Sequence, residues 1–121
     1  MNFATYPSPA GRVVLVTGGA SGIGADLVRA FAGQGAKIAF LDIMDDTAAA
    51  LCAELAEAAP LYLRCDLIDV EALKAAIAAV REQLGPVGVL VNNAGNDDRR
   101  AIDAVTVDYW DRMQAINLRA Q

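Results

Sequence analysis

The segment Thr17-Gly18-Gly19-Ala20-Ser21-Gly22-Ile23-Gly24 constrains this chain more than any other. It follows an unbroken, mostly β-branched run, Val13-Val14-Leu15-Val16-Thr17, and precedes a stretch in which Leu27, Ala30 and Phe31 continue from Ile23 at helical spacing. A strand buried on both faces reads as such a run, and a helix reads as an apolar stripe. The glycines therefore fall at a strand-to-helix turn. Backbone without Cβ atoms lets an anion come close, and the first turn of a helix offers unpaired N–H groups and the positive end of its dipole. A glycine turn with no ligand is the plainer alternative. The strand before, the helix after and an acid further on favour a pyrophosphate cradle.

The alternation then repeats. Lys37–Leu41 reads as a second strand and Thr47–Ala58 as a second helix, with Leu51 and Leu55 four apart and Pro60 as its stop. Leu61–Arg64 is a third strand. Asp69 reads as the N-cap of a third helix whose inner stripe is Leu73, Ile77, Val80 and Leu84, and which Gly85-Pro86 ends. Val87–Val91 is a fourth strand, and Thr106 caps a last helix carrying Trp110, Met113 and Leu118. Strands separated by helices pair in parallel through right-handed crossovers. This predicts an α/β fold, a doubly wound parallel sheet of order 3-2-1-4 with helices on both faces. Residues 1–10 are expected to form an extension and 11–121 one dinucleotide-binding part. Val87–Val91 has no charge or proline to guard an open sheet edge, and the last helix has no closing glycine. The expectation is an interior strand, in the amino-terminal part of a larger domain. A small four-stranded protein is the alternative.

Composition narrows the partners. Fifteen acids against ten bases give a net charge of −5, a poor match to a nucleic-acid backbone. The absence of histidine removes histidine-based triads and metal sites, and no metal is expected. Alanine supplies 25 residues, yet enough larger apolar side chains remain to build a core. Cys52 and Cys65 lack CxxC spacing and read as two reduced, buried thiols of a cytosolic protein. No apolar run is long enough for a membrane span, and the first twelve residues do not read as a signal peptide, so a cytoplasmic location is expected.

The remaining candidates lie at the carboxyl ends of strands. Asp42 stands 18 residues after Gly24, where a carboxylate can accept hydrogen bonds from both adenosine ribose hydroxyls. It would repel a 2′-phosphate, and its neighbours Ala20, Ser21, Ile43 and Met44 are uncharged. With no basic residue expected nearby, NAD is preferred over NADP. Asp45 and Asp46 read as solvated helix-start acids. Asp66, after strand three, opens onto an adenine pocket or forms a local turn leading to Asp69. Asn92-Asn93-Ala94-Gly95 suits a tight turn and close approach to a ligand. Asn117, on the face of Met113, must find partners, either structural or in a site.

Taken together, Thr17-Gly18-x-x-x-Gly22-x-Gly24, Asp42, Asp66, Asn92-Asn93-Ala94-Gly95 and Asn117 resemble the short-chain dehydrogenase/reductase family over residues 11–121. The resemblance implies a Rossmann-like fold and hydride transfer between a nicotinamide cofactor and a hydroxyl or carbonyl substrate, usually in dimers or tetramers. It implies that Gly18, Ser21, Gly22, Ile23 and Gly24 cradle the pyrophosphate. Asp42 would hold the ribose with Ile43 beside it, Asp66 would reach the adenine amine, and Leu67 would touch the ring through its backbone. Asn93, Ala94 and Gly95 would lie beside the cofactor. Asn117 would be the one member present of the catalytic Asn-Ser-Tyr-Lys set. Tyr6-Pro7-Ser8, Phe40-Leu41-Asp42-Ile43, Cys65-Asp66-Leu67 and Asn92 to Arg99 are similar, more narrowly, to bacterial NAD-dependent pentose dehydrogenases of the xylose type, implying a sugar substrate. The chain departs from the family in holding no Tyr-x-x-x-Lys, because Tyr6, Tyr62 and Tyr109 have no lysine four residues on. It is therefore not expected to catalyse hydride transfer by itself. A non-catalytic nucleotide-binding or interaction module, and a methyltransferase on a similar sheet, are the other readings. The three-residue gap between Gly18 and Gly22 argues against the latter.

Overall fold

The computed structural model describes residues 4–121; the first three residues of the expected extension lie outside the described residues. Four strands, β1 (Val13–Thr17), β2 (Lys37–Asp42), β3 (Leu61–Arg64) and β4 (Val87–Val91), alternate with α1 (Gly22–Gly33), α2 (Asp45–Glu54) and α3 (Val70–Leu84). A final helix, α4 (Val107–Gln114), continues into a π-helical turn at Ala115–Arg119. The strands form one parallel sheet of order β3-β2-β1-β4. Val13 to Thr17 pair in register with Lys37 to Leu41, and Ala39 to Asp42 pair with Leu61 to Arg64. Every strand therefore ends on the same side, and the loops that follow the strands gather there.

Each strand sends successive side chains to opposite faces. On one face Val14, Val16, Ile38 and Phe40 meet Ala25 and Val28 of α1 and Ala48 and Leu51 of α2. On the other, Val13, Leu15, Ala39 and Leu41 meet Ala76 and Val80 of α3. Burial of each large aliphatic side chain stabilises by about 1.5–3 kcal/mol, so β1, buried along its whole length, is the centre of both cores.

Several local expectations shift. In α1 the inner face is Ala25 and Val28, with Phe31 half-buried; Ala30 and Ile23 face outward. In α3 the buried positions are Ala76 and Val80 flanked by Leu73 and Leu84, while Ile77 is 37% exposed. In α1 the stripe is turned by about one residue, whereas in α3 it keeps Leu73, Val80 and Leu84 and only Ile77 gives way to Ala76; alanine contributes little to an apolar stripe yet fits the close helix–sheet gap. Asp69 does cap α3, accepting from the amides of Glu71 and Ala72. Helix α2 runs from Asp45 to Glu54 and so ends before Ala58; turns follow it to Ala59, which stands at φ 46° immediately before Pro60. Within this chain β4 stands at one edge of the sheet, beside β1. Thr106 caps α4 through Tyr109 N at 3.1 Å, but Trp110 is 59% and Leu118 70% exposed, so neither joins the core. At the amino end, Gln34 accepts from Tyr6 N at 2.7 Å and donates to Ala4 O at 3.1 Å. Cys52 and Cys65 are both free thiols, the first only half-buried.

Candidate functional site

The loops after β1, β2, β3 and β4 and one face of α4 surround a cavity of about 440 Å³. Of the twelve residues expected at a cofactor, Gly18, Ser21, Ile23, Gly24, Asp42, Ile43, Asp66, Leu67, Asn93, Ala94 and Gly95 line it; Gly22 does not. Asn117 also stands outside the lining. Arg112 and Ile116, one turn apart on the α4 side, line it without having been legible as site residues. Cys65 lines it too, and burial pushes its thiol pKa up, away from nucleophile chemistry.

The glycine turn divides into two halves by hydrogen bonding. Gly18 N and Gly19 N donate to Leu41 O at 2.8 and 3.3 Å, and Ala20 N donates to Asp42 Oδ2 at 2.9 Å. Among the described residues, the amides of Ser21, Gly22, Ile23 and Gly24 have no protein acceptor. Ser21 occupies the N-cap position of α1, but its hydroxyl makes no capping bond. Four unpaired donors and a hydroxyl at a helix start can receive an anion such as a pyrophosphate. Gly24 is dictated by proximity: a Cβ there would stand 1.8 Å from Gly18 O and 2.6 Å from Asn93 Nδ2.

Opposite these donors stands the Asp42 carboxylate. Its Oδ1 accepts from Ile43 N at 2.7 Å and Met44 N at 3.1 Å, and its Oδ2 from Ala20 N. A carboxylate offers about four acceptor positions, so capacity remains for a ligand hydroxyl. The residue is half-buried and faces the glycine turn. Asp66 combines both readings of its position, because Oδ1 closes a local turn with Ile68 N at 3.0 Å while the residue lines the cavity.

Asp45 is an exposed acid in the first turn of α2, as expected, but it is also paired. Its Oδ1 accepts from the Tyr62 hydroxyl at 2.6 Å and its Oδ2 from Arg64 Nη1 at 2.7 Å. The Tyr62 hydrogen bond, helped by the Arg64 charge, holds its carboxyl below the usual range. Burial and then the Asp45 hydrogen bond raise the Tyr62 pKa. Arg64 Nη1 also donates to Ile43 O at 2.7 Å. A cation thus stands beside the Asp42 loop, contrary to the expectation of none. Sequence distance hid it, and strand register brings it there.

The fourth wall is held by side chains. Thr17, 3% exposed, donates through Oγ1 to Val91 O at 3.4 Å and accepts there from Asn93 N and Ala94 N, both at 3.1 Å. Asn93 Nδ2 donates to Thr17 O and Gly18 O, both at 3.0 Å, so its amide nitrogen is committed to the turn itself. Asn117 finds its partners in the backbone of Asn96: Oδ1 accepts from Asn96 N and Nδ2 donates to Asn96 O, both at 2.8 Å. The Tyr109 hydroxyl donates to Asp98 O, and Arg100 lies 4.4 Å over the Tyr109 ring, so α4 pins the Asn96–Arg100 loop. Among the described residues no cluster suits a metal ion and no helix is long and apolar enough to cross a membrane.

Comparison with known proteins accords with this geometry. The short chain dehydrogenase family model matches residues 12–121, and the chain belongs to that family of oxidoreductases. It is 53% identical over 121 residues to D-xylose 1-dehydrogenase of Caulobacter vibrioides, covering 98% of this chain and 47% of that protein. It is 41% identical over 108 residues to a 3-alpha-(or 20-beta)-hydroxysteroid dehydrogenase of Mycobacterium bovis, covering 89% and 41%. A blue fluorescent protein from a metagenomic library, solved with NADPH, superposes with a TM-score of 0.85 at 40% identity, covering 92% of this chain and 47% of that one. The chain spans about half the length of these relatives. The doubly wound parallel sheet of order 3-2-1-4 is thus that of the dehydrogenase Rossmann fold.

Proposed function

We propose that this chain is the NAD-binding portion of an oxidoreductase that transfers a hydride between a hydroxyl or carbonyl substrate and a nicotinamide cofactor. One observation carries the reading. The unpaired amides of Ser21, Ile23 and Gly24 and the Asp42 carboxylate, itself bonded to Ala20 N of the same turn, border one cavity, with donors for a pyrophosphate beside an acceptor for a ribose. In this reading the Ser21, Gly22, Ile23 and Gly24 amides receive the pyrophosphate, Gly18, whose amide is bonded to Leu41 O, offers close approach as bare backbone, and Ile43, Asp66 and Leu67 flank the adenosine. Asn93, Ala94 and Gly95 line the path toward the nicotinamide. The bound cofactor would supply hydride acceptance at the nicotinamide ring. Asn117 serves catalysis by fixing the Asn96 backbone next to that path, through two 2.8 Å bonds.

The Asp42 charge favours NAD over NADP, since an added 2′-phosphate would meet a carboxylate. A sugar is the favoured substrate class. The xylose-type relative shares more of its sequence with this chain than the steroid dehydrogenase does, and the Asn96–Arg99 segment, which enters the cavity lining at Asn96, is polar. The whole protein is proposed to act as a homo-oligomer in the cytoplasm. Titration calorimetry of this chain with NAD, NADP and S-adenosylmethionine tests the cofactor, with tightest binding expected for NAD. Tighter binding of NADP or of S-adenosylmethionine would overturn the NAD assignment. NAD reduction by the full-length enzyme over a panel of sugars and steroid alcohols tests the substrate, and turnover of steroids alone would remove the sugar.

A further inference from the structure

The carboxyl end of β2 carries a second charged layer. Strand register pairs Asp42 with Arg64, and in-register neighbours of parallel strands project to the same face. The Phe40 and Tyr62 rings, two residues earlier on the same strands, follow that rule with centroids 5.3 Å apart. Since the sheet runs β3-β2-β1, Arg64 reaches the loop after β2 from the side away from the glycine turn; its guanidinium rests on Ile43 O, next to Asp42, and Arg64 itself does not line the cavity. One nitrogen, Nη1, serves both Ile43 O and Asp45 Oδ2, each at 2.7 Å. Among the described residues Nη2 and Nε donate to no protein acceptor. Asp45 is itself held, by the Tyr62 hydroxyl at 2.6 Å, and that hydroxyl also reaches Asp42 O at 3.2 Å.

We propose that the Asp45–Arg64 pair sets how strictly this pocket rejects a ribose 2′-phosphate. The proposal rests on the dinucleotide reading above. A phosphate beside Asp42 is repelled by the carboxylate, and a guanidinium is the group best suited to offset that repulsion. Asp45 neutralises Arg64 and holds it against the Ile43 carbonyl. Asp45 is thus a specificity-determining residue although neither it nor Arg64 lines the cavity; the pair acts through the loop at Ile43, which does.

The test is calorimetry of the chain with NAD and NADP, repeated with adenosine 5′-monophosphate and adenosine 2′,5′-bisphosphate. Asp45→Asn is expected to raise the affinity for NADP relative to NAD roughly ten-fold, by leaving the Arg64 charge uncompensated and the guanidinium able to turn from Ile43 O toward a phosphate beside Asp42. The gain disappears in the double variant Asp45→Asn/Arg64→Met and shrinks at high salt. Arg64→Met alone, which leaves Asp45 uncompensated, lowers the same ratio roughly three-fold and covers the case in which the first variant does not fold. A purely structural role would weaken both dinucleotides equally. An unchanged ratio in Asp45→Asn, or a gain that survives removal of Arg64, overturns the proposal. If the unsubstituted chain binds neither dinucleotide, the underlying reading falls instead.

Discussion

At the glycine turn, backbone meets backbone. Gly24 approaches Gly18 O with no room for one added carbon, and Gly18 and Gly19 donate to the carbonyl of the neighbouring strand. Across the cavity, at the β4–α4 wall, side chains do the fastening: Asn117 to the Asn96 backbone and Tyr109 to Asp98 O. The first region is anchored in both cores through β1. The second presents Val107, Trp110 and Leu118 largely to solvent. The same pocket is thus built from a rigid wall specified by close packing and a softer wall specified by a few polar contacts. Substitutions should separate the two by the size of their effect.

The greatest loss is expected at Gly24. In Gly24→Ala the new Cβ overlaps Gly18 O and Asn93 Nδ2, neither of which can move without opening the turn. We expect a destabilisation of about 3 kcal/mol or more, read as a lowered urea midpoint with an unchanged slope. A variant as stable as the parent would show that the turn is pliable and erase the contrast. Next comes Thr17→Val, which keeps the volume and removes the hydroxyl that joins the walls. The Asn93 and Ala94 amides then lose their acceptor, at a cost of about 2 kcal/mol in the same measurement. A change below about 0.5 kcal/mol would mean that water replaces the hydroxyl and that β4 is not fastened through Thr17.

The contrast also explains what could be read before the fold was known. The glycine turn, the strands and the Asp69 and Thr106 caps are legible because their causes are local: a β-branched run, a missing Cβ, an oxygen two or three residues before an amide. Asp42 is legible for the same reason, as the last residue of an apolar strand. Arg64 is not, since 22 positions separate it from Asp42 and only parallel register makes them neighbours. Arg112 and Ile116 are hidden differently. Helical spacing says that they share a face, but which face meets the cavity depends on how α4 docks. Ile77 and Ala76 show the limit within a helix, where the smaller residue takes the buried place.

On the softer wall the expected effects are smaller. Thr106→Ala removes the acceptor for Tyr109 N and should cost about 1 kcal/mol if α4 folds together with the sheet. Hydrogen exchange localises it: faster exchange confined to residues 107–114, with the β1 amides unchanged, is the expected pattern. Equal acceleration in β1 would make α4 part of the same cooperative unit as the core and remove the distinction.

The smallest effect is expected for Trp110→Ser, the reverse of what such a substitution does in a packed core. Loss of a buried tryptophan side chain typically costs about 3–5 kcal/mol, because it removes transfer free energy and leaves a cavity. Trp110 instead keeps 59% of its surface in water, so little of that energy is gained on folding of this chain. We expect a change within about 0.5 kcal/mol by urea denaturation at micromolar concentration. Repeating the measurement at tenfold higher concentration sharpens the comparison, since a midpoint that rises with concentration in the parent but not in the variant would reveal that copies of the chain bury this face against each other. A loss above about 1.5 kcal/mol that does not depend on concentration would instead place the indole inside the folded chain, and the two walls would then be equally rigid.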